Sequence, residues 1–294
     1  MFSSGPDGCL SRGRTAIIAI APTTNPASAA RLATISLTLP MVGVDSRRSG
    51  TPAGPFPGEF TYWTKFVHDP ARSVSAMRDA FHDELNALTD RLVEMTRLVR
   101  SAISRATTAL LDADLQLAES VISQDAEVDR IYADLETSIY ELMATQQPVA
   151  VDLRTAITAL RMGSDLERMG DLAEHVAKIA RMRHPESAIP PEVRDTILEM
   201  GQIAERLVTK TGTCIIGQDI ELAKELETDD DQMDRLHRRL FRVLLSKEWS
   251  HGIEPAIDIT LTGRYYERYA DHAVRVARDV VYLVTGSRDP DSID

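Results

Sequence analysis

From about Val74 to Thr285, apolar residues return every three or four positions. That is the period of an amphipathic helix; a half-buried strand alternates every second residue. The breaks in the pattern divide it into six predicted helices. The first runs from about Met77 to Leu111, and Asp112-Ala113-Asp114 makes a turn in which Asp114 can cap the second. The second runs to about Thr145, where Gln147-Pro148 stops it, because proline disfavours the helical state of the residue before it. The third spans about Val151 to Arg183 and ends before His184-Pro185 and Ile189-Pro190-Pro191. The fourth spans about Val193 to Ile216, with Gly217-Gln218-Asp219 as its stop and the next start. The fifth runs to about Trp249, before Ser250-His251-Gly252. The sixth runs from about Pro255 to Thr285, with Gly286 placed as a C-terminal cap. Helices of about 30 residues are roughly 45 Å long.

The six are two copies of three. At an offset of 105, Glu94-Met95 meets Glu199-Met200, Asp114-Leu115-Gln116-Leu117-Ala118 meets Asp219-Ile220-Glu221-Leu222-Ala223, and Leu135 meets Leu240. The third and sixth helices align at an offset of 100, over Glu167/Glu267, Arg168/Arg268, Asp171/Asp271, Ala173/Ala273 and Val176/Val276. Long helices joined by short connections pack as antiparallel neighbours. The expected fold is therefore all-α: two tandem three-helix bundles, six long antiparallel helices, and an internal pseudo-twofold. The bundles should occupy 73–188 and 189–286, followed by a frayed polar tail, 287–294.

Residues 1–72 carry Gly, Pro, Ser, Thr and Ala without periodicity and read as a disordered leader. Arg12 and Arg14 ahead of the short apolar run 15–21 faintly resemble a signal peptide. A translation start at Met77 would instead leave the leader outside the working protein. The whole chain has 294 residues, 43% of them hydrophobic and 27% charged, an ordinary globular composition. No apolar run approaches the roughly 20 residues that span a bilayer. A net charge of −12 argues against nucleic acid as a partner. Cys9 and Cys214 fall in no zinc or disulfide spacing and suit a reducing cytoplasm.

The candidate chemistry lies in paired carboxylates. Residues four apart share a helix face, so Glu167/Asp171 and Glu267/Asp271 set like charges side by side. The middle helices carry matching pairs, Asp125/Asp129 and Asp230/Asp234. One such pair is ordinarily a solvated face; Asp90/Glu94, Asp195/Glu199, Glu221/Glu225 and Glu254/Asp258 need no function. The four singled out recur in register in both halves. If middle and last helices pack together, each half gathers four carboxylates, a donor set for magnesium, calcium, manganese or iron and not for thiolate-held zinc. Arg168 and Arg268 are the alternative: counterions that neutralise the carboxylates with no metal at all. His175 reads as an orienting or surface residue, since Arg275 takes its place in the second half.

Together these features resemble the PhoU family. The resemblance rests on Gln147-Pro148-Val149-Ala150-Val151-Asp152-Leu153-Arg154, on Asp165-Leu166-Glu167-Arg168-Met169-Gly170-Asp171, and on 261–272, and it covers about Met77 to Gly286. It implies a cytoplasmic, often dimeric protein that binds metal clusters at Glu/Asp-x-x-x-Asp motifs, here Asp125, Asp129, Glu167, Asp171, Asp230, Asp234, Glu267 and Asp271. It also implies a negative regulator that links the phosphate ABC importer, through its ATPase, to the phosphate-responsive histidine kinase. The residues themselves offer no Walker-type loop and no nucleophile elbow, so they point to binding rather than catalysis. The alternative is a carboxylate-bridged metal oxidase or storage bundle, but the one Glu-x-x-His, Glu248 to His251, falls at a helix end. A third reading is a helical scaffold whose acidic pairs bind nothing. On the fifth helix, Arg235, Arg238, Arg239 and Arg242 with His237 form a basic stripe, expected to be solvated and salt-bridged or, more sharply, to dock an acidic partner or an anionic membrane leaflet. The aromatics Phe241, Trp249, Tyr265, Tyr266 and Tyr269 are expected in the core or at the interface between bundles, not in a ligand cage.

Overall fold

Each apolar stripe becomes one helix in the computed structural model, which describes residues 70–287, with side chains from His82 onward. In order these are α1 (Pro70–Asp112), α2 (Leu115–Gln146), α3 (Val151–Arg183), α4 (Pro191–Gly217), α5 (Ile220–Leu244) and α6 (Ile253–Thr285). There is no strand among the described residues. Two boundaries were written in side-chain caps: Asp114 accepts from the Leu117 N–H at 2.9 Å and Asp219 from the Leu222 N–H at 3.1 Å. Proline at Pro191, the first residue of α4, lacks only an N–H that would go unbonded there. Gly286 closes α6 at φ +77°.

α4 stops where expected, at Gly217, with Gln218 left-handed at φ 48°. Two ends differ from expectation. α5 stops at Leu244, short of Trp249, because Ser246 Oγ accepts from the Glu248 N–H at 3.2 Å and Trp249 Nε1 donates to the Gly252 carbonyl at 2.7 Å. Such local bonds offer the backbone an alternative to another helical turn. α1 begins at Pro70, so residues 70–72 of the expected leader are helical and Met77 lies inside the helix. The rest of the leader, with its signal-like run and Cys9, and the tail 288–294 lie outside the described residues.

α1, α2 and α3 pack on one another, and so do α4, α5 and α6. Between the halves, α1 lies against α4 and α3 against α6, like against like. The register is antiparallel. Along α3 and α6, Arg161 meets Asp279, Asp165 meets Arg275, His175 meets Tyr265 and Arg183 meets Asp258. Tyr265 is the counterpart of Asp165 and Arg275 of His175, so two of these contacts are one contact repeated with the halves exchanged. That is the signature of the pseudo-twofold, whose axis passes beside Gly170 and Ala270.

The seam between α1 and α4 obeys the same symmetry with complementary shapes. Thr107 fills the place of the missing Cβ at Gly201, and Thr96 that at Gly212. Gly201 is the repeat counterpart of Thr96, and Gly212 of Thr107. α6 is tied to α1 by two fully buried tyrosines: Tyr269 donates to the Val99 carbonyl at 3.0 Å, and the Tyr266 hydroxyl bonds Thr107 Oγ1 at 2.6 Å. Left unpaired, a buried hydroxyl would cost about 1–3 kcal/mol. At the far end, Arg183 holds Asp258 at 2.6 Å and also Glu254. The acidic pair Glu254/Asp258 is thus a structural clamp.

An alanine Cβ at position 201 would fall 2.6 Å from Thr107 Cγ2 and 2.7 Å from its Oγ1. Thr107 is buried, and its hydroxyl is committed to the Ile103 carbonyl and to Tyr266. Overpacking costs about 1–3 kcal/mol, against about 1 kcal/mol that alanine gains over glycine in a helix. Gly201→Ala should therefore lower the unfolding free energy by up to about 2 kcal/mol in a denaturant titration. A gain in stability would mean that the seam has slack.

Candidate metal centres

α2 packs along α3, and α5 along α6, because each presents an apolar stripe to its neighbour: Val128, Leu135 and Ile139 from α2, Met233, Leu236 and Leu240 from α5. Glycines let the pairs close in. A Cβ at Gly163 would fall 2.5 Å from Leu135 Cδ2, and one at its counterpart Gly263 would fall 2.8 Å from Leu240 Cδ1. This approach carries the two acidic pairs of each half toward each other.

The eight predicted residues converge as two groups of four. In the first half, burial and then the charges on Asp129, Glu174, Asp171 and Glu167 push the Asp125 carboxyl up to about 7. In the second, burial and then Asp271, Asp234, Glu267 and Asp231 push Asp230 up to about 7. Burial, followed by the neighbouring Asp171 or Asp271, also raises Glu167 and Glu267. The halves match in exposure too: Asp129 and Asp234 are exposed, and the other six are half-buried. Asp125 lies against the bare backbone of Gly170, where a Cβ would come within 2.8 Å of its Oδ1.

Two members were missed from the sequence. Glu174 joins the first group while bonded to Lys178, and Asp231 joins the second. Glu174 is three residues after Asp171 on the same face, a usable signal. Its counterpart is Val274, so comparing the repeats filtered it out.

The arginines behave differently in the two halves. Arg168 is a counterion, 2.6 Å from Asp171 and 3.6 Å from Glu167. In the second half Arg264 pairs with Glu267 instead, and among the described residues Arg268 has no carboxylate within 4.0 Å. His175 is exposed and donates through Nδ1 to the Asp171 carbonyl at 2.5 Å. Hard oxygen donors, mutual repulsion and incomplete neutralisation fit a hard cation. Among the described residues, no three His, Cys, Asp or Glu side chains are already drawn to ligand spacing, so a cation would have to gather them.

Elsewhere, the basic stripe of Arg235, Arg238, Arg239 and Arg242 is exposed as expected. It is not salt-bridged: among the described residues none of the four lies within 4.0 Å of a carboxylate. His237 is only half-exposed, and burial lowers its basicity. Tyr266 and Tyr269 are core residues, whereas Phe241 is 39% exposed.

The PhoU domain model matches this chain twice, over residues 92–180 and 197–280. The phosphate-specific transport system accessory protein PhoU homolog 2 of Mycobacterium tuberculosis is 49% identical over 211 residues, 72% of this chain and 99% of that protein. The PhoU homolog of Aquifex aeolicus is 37% identical, covering 69% of this chain and 92% of its own length. The crystal structure of PhoU from Pseudomonas aeruginosa superposes with a TM-score of 0.66 at 30% identity, covering 70% of this chain and all of that one.

The raised carboxyls set a pH dependence. Asp125 and Asp230 hold protons in the folded chain up to about pH 7 but lose them near 3.8 when unfolded. Their contribution to stability is complete below the unfolded value and is lost as pH rises through about 7. In chelator, wild type should melt at least roughly 2 °C higher at pH 6 than at pH 8, about half a kcal/mol or more for a domain this size. Asp125→Asn with Asp230→Asn should flatten that difference. An unchanged slope in the double variant would mean that the two groups carry no linked proton.

Proposed function

The chain belongs to the PhoU family of phosphate-transport accessory proteins, and from that premise we propose that it is a metal-binding negative regulator of phosphate uptake. In this reading it restrains the phosphate ABC importer through the transporter's ATPase and holds the phosphate-responsive histidine kinase in check. It works in the cytoplasm, as a homodimer, and catalyses no reaction itself. Family membership supports the signalling role. The observation that carries the metal role is the convergence of four matched carboxylates in each half: Asp125, Asp129, Glu167 and Asp171, and Asp230, Asp234, Glu267 and Asp271. Iron, manganese or magnesium suits such an all-oxygen set.

The chain's own part in this is electrostatic. Helix packing forces the carboxylates together, and Arg168 and Arg264 relieve only some of the repulsion. A bound cation would supply the missing positive charge and tie α2 to α3 and α5 to α6. The oxidase alternative is poorly supported, since Glu248 and His251 fall in the α5–α6 connection and His251 pairs with Glu192 at 3.0 Å.

Removing one carboxylate per group tests the metal reading. In chelator, the variant carrying Asp171→Ala and Asp271→Ala should be at least as stable as wild type, because a repulsion is removed in each half. With manganese at about 100 times its dissociation constant, wild type should gain about 2.7 kcal/mol for each occupied group, a gain that the variant lacks. Equal destabilisation of the variant in both conditions would make these carboxylates salt-bridge partners, and the metal reading would be dropped. For the regulatory role, the tagged protein should retain the kinase and the transporter ATPase from phosphate-replete cells. Retention of neither, in replete or starved cells, would overturn that part.

A further inference from the structure

The contact of α3 with α6 leaves a cavity of about 210 Å³ beside the pseudo-twofold axis, lined by Arg168, Asp171, His175, Tyr265, Arg268 and His272. It is smaller than the roughly 300–1,000 Å³ that takes a drug-sized ligand, and it suits a small ion with a few waters. Its polar lining is mainly cationic or imidazole, on a chain whose net charge is −12. We propose that this cavity is a binding site for a tetrahedral oxyanion, inorganic phosphate, held between the guanidinium groups of Arg168 and Arg268.

Three features build the site. Arg168 and Arg268 are repeat counterparts, so the axis brings two guanidinium forks to one cavity from opposite sides. A planar fork pairs well with two oxygens of a phosphate, and a tetrahedral ion has oxygens for both forks. Next, Arg268 is a spare cation: Arg264 has taken over the pairing with Glu267, and among the described residues Arg268 has no carboxylate within 4.0 Å. Finally, both imidazoles are fixed by their inner nitrogens. His272, 5% exposed, donates through Nδ1 to Asp165 Oδ1 at 2.8 Å, and Asp165 also lies 3.8 Å from Arg275. His175 donates through Nδ1 to the Asp171 carbonyl. Each ring keeps Nε2 as its second polar atom, able to accept from the hydroxyl of a hydrogen phosphate or, once protonated, to donate to its oxygens.

Arg168 also joins the cavity to the first carboxylate group, through Asp171 and Glu167. A cation gathered by those carboxylates loosens their hold on Arg168 and removes local negative charge, so cation and phosphate favour each other's binding. The choice of phosphate rests on the regulatory reading above; the cavity and its arginines do not.

The test is isothermal titration of the whole chain with sodium phosphate, in chelator and in excess magnesium. Wild type should bind phosphate. Arg268→Ala should bind it roughly tenfold or more weakly, the loss of one charge-assisted pair. Arg268→Lys, which keeps the charge without the fork, should fall between. Because Arg268 is exposed, all three proteins should melt alike in chelator and gain alike from magnesium. No binding to wild type at millimolar phosphate, or equal binding to Arg268→Ala, would overturn the site. Phosphate binding that depends on Arg268 while magnesium leaves the melting point unmoved would support the site and strike magnesium from the metal reading.

Discussion

In each half, five carboxyl groups, most of them partly buried, are crowded onto two neighbouring helices and would separate if the helices could move. They cannot, because the same helices are zipped by apolar side chains set against glycine: Leu135 at Gly163 and Leu240 at Gly263. The carboxylate groups are therefore a stress sustained by the core, and the core is deep enough to sustain it. Protons on Asp125 and Asp230, guanidinium groups from Arg168 and Arg264, and any captured cation are three ways of easing the same stress. They compete for the same oxygens, which is why protonation, ion pairing and metal binding at these helices cannot be considered separately.

The fold was legible because it was written twice. Hydrophobic period located six helices, Asp114 and Asp219 marked two starts, and the repeat offset told which helices correspond. The four-carboxylate groups were legible for the same reason, since recurrence in register separated them from surface pairs such as Glu254/Asp258, which turned out to clamp Arg183. The filter worked against features held by one half only. Glu174 and Asp231 have no acidic counterpart, and both were missed. So was the exchange of roles between Arg168 and Arg264: the aligned motifs offered Arg268, but in three dimensions a guanidinium three residues before Glu267 reaches it better. Helix ends decided by a local side-chain bond, as at Ser246, carry no periodic signal.

The two halves have thus diverged in chemistry while keeping one backbone plan. The first carries its counterion inside the shared motif, an additional carboxylate in Glu174, and a glycine beside Asp125. The second has alanine at the corresponding Ala270, an outside counterion in Arg264, and an arginine-rich continuation of its middle helix that the first lacks. Equivalent acidic groups in unlike settings are not expected to have equal affinities, and a protein with two unequal sites responds over a wider span of ligand concentration than one with two equal sites.

The threonine–glycine seam bears on how such a chain could have arisen. Imagine the first half meeting a second copy of itself about the same axis: Thr96 would face Thr107, and both contacts would be too full. Two copies of the second half would set Gly201 against Gly212 and leave both contacts empty. Only the mixed pairing seats one threonine in one glycine notch on each side. Whatever symmetric ancestor preceded the duplication, the two halves have since become lock and key, and neither can now be replaced by its twin.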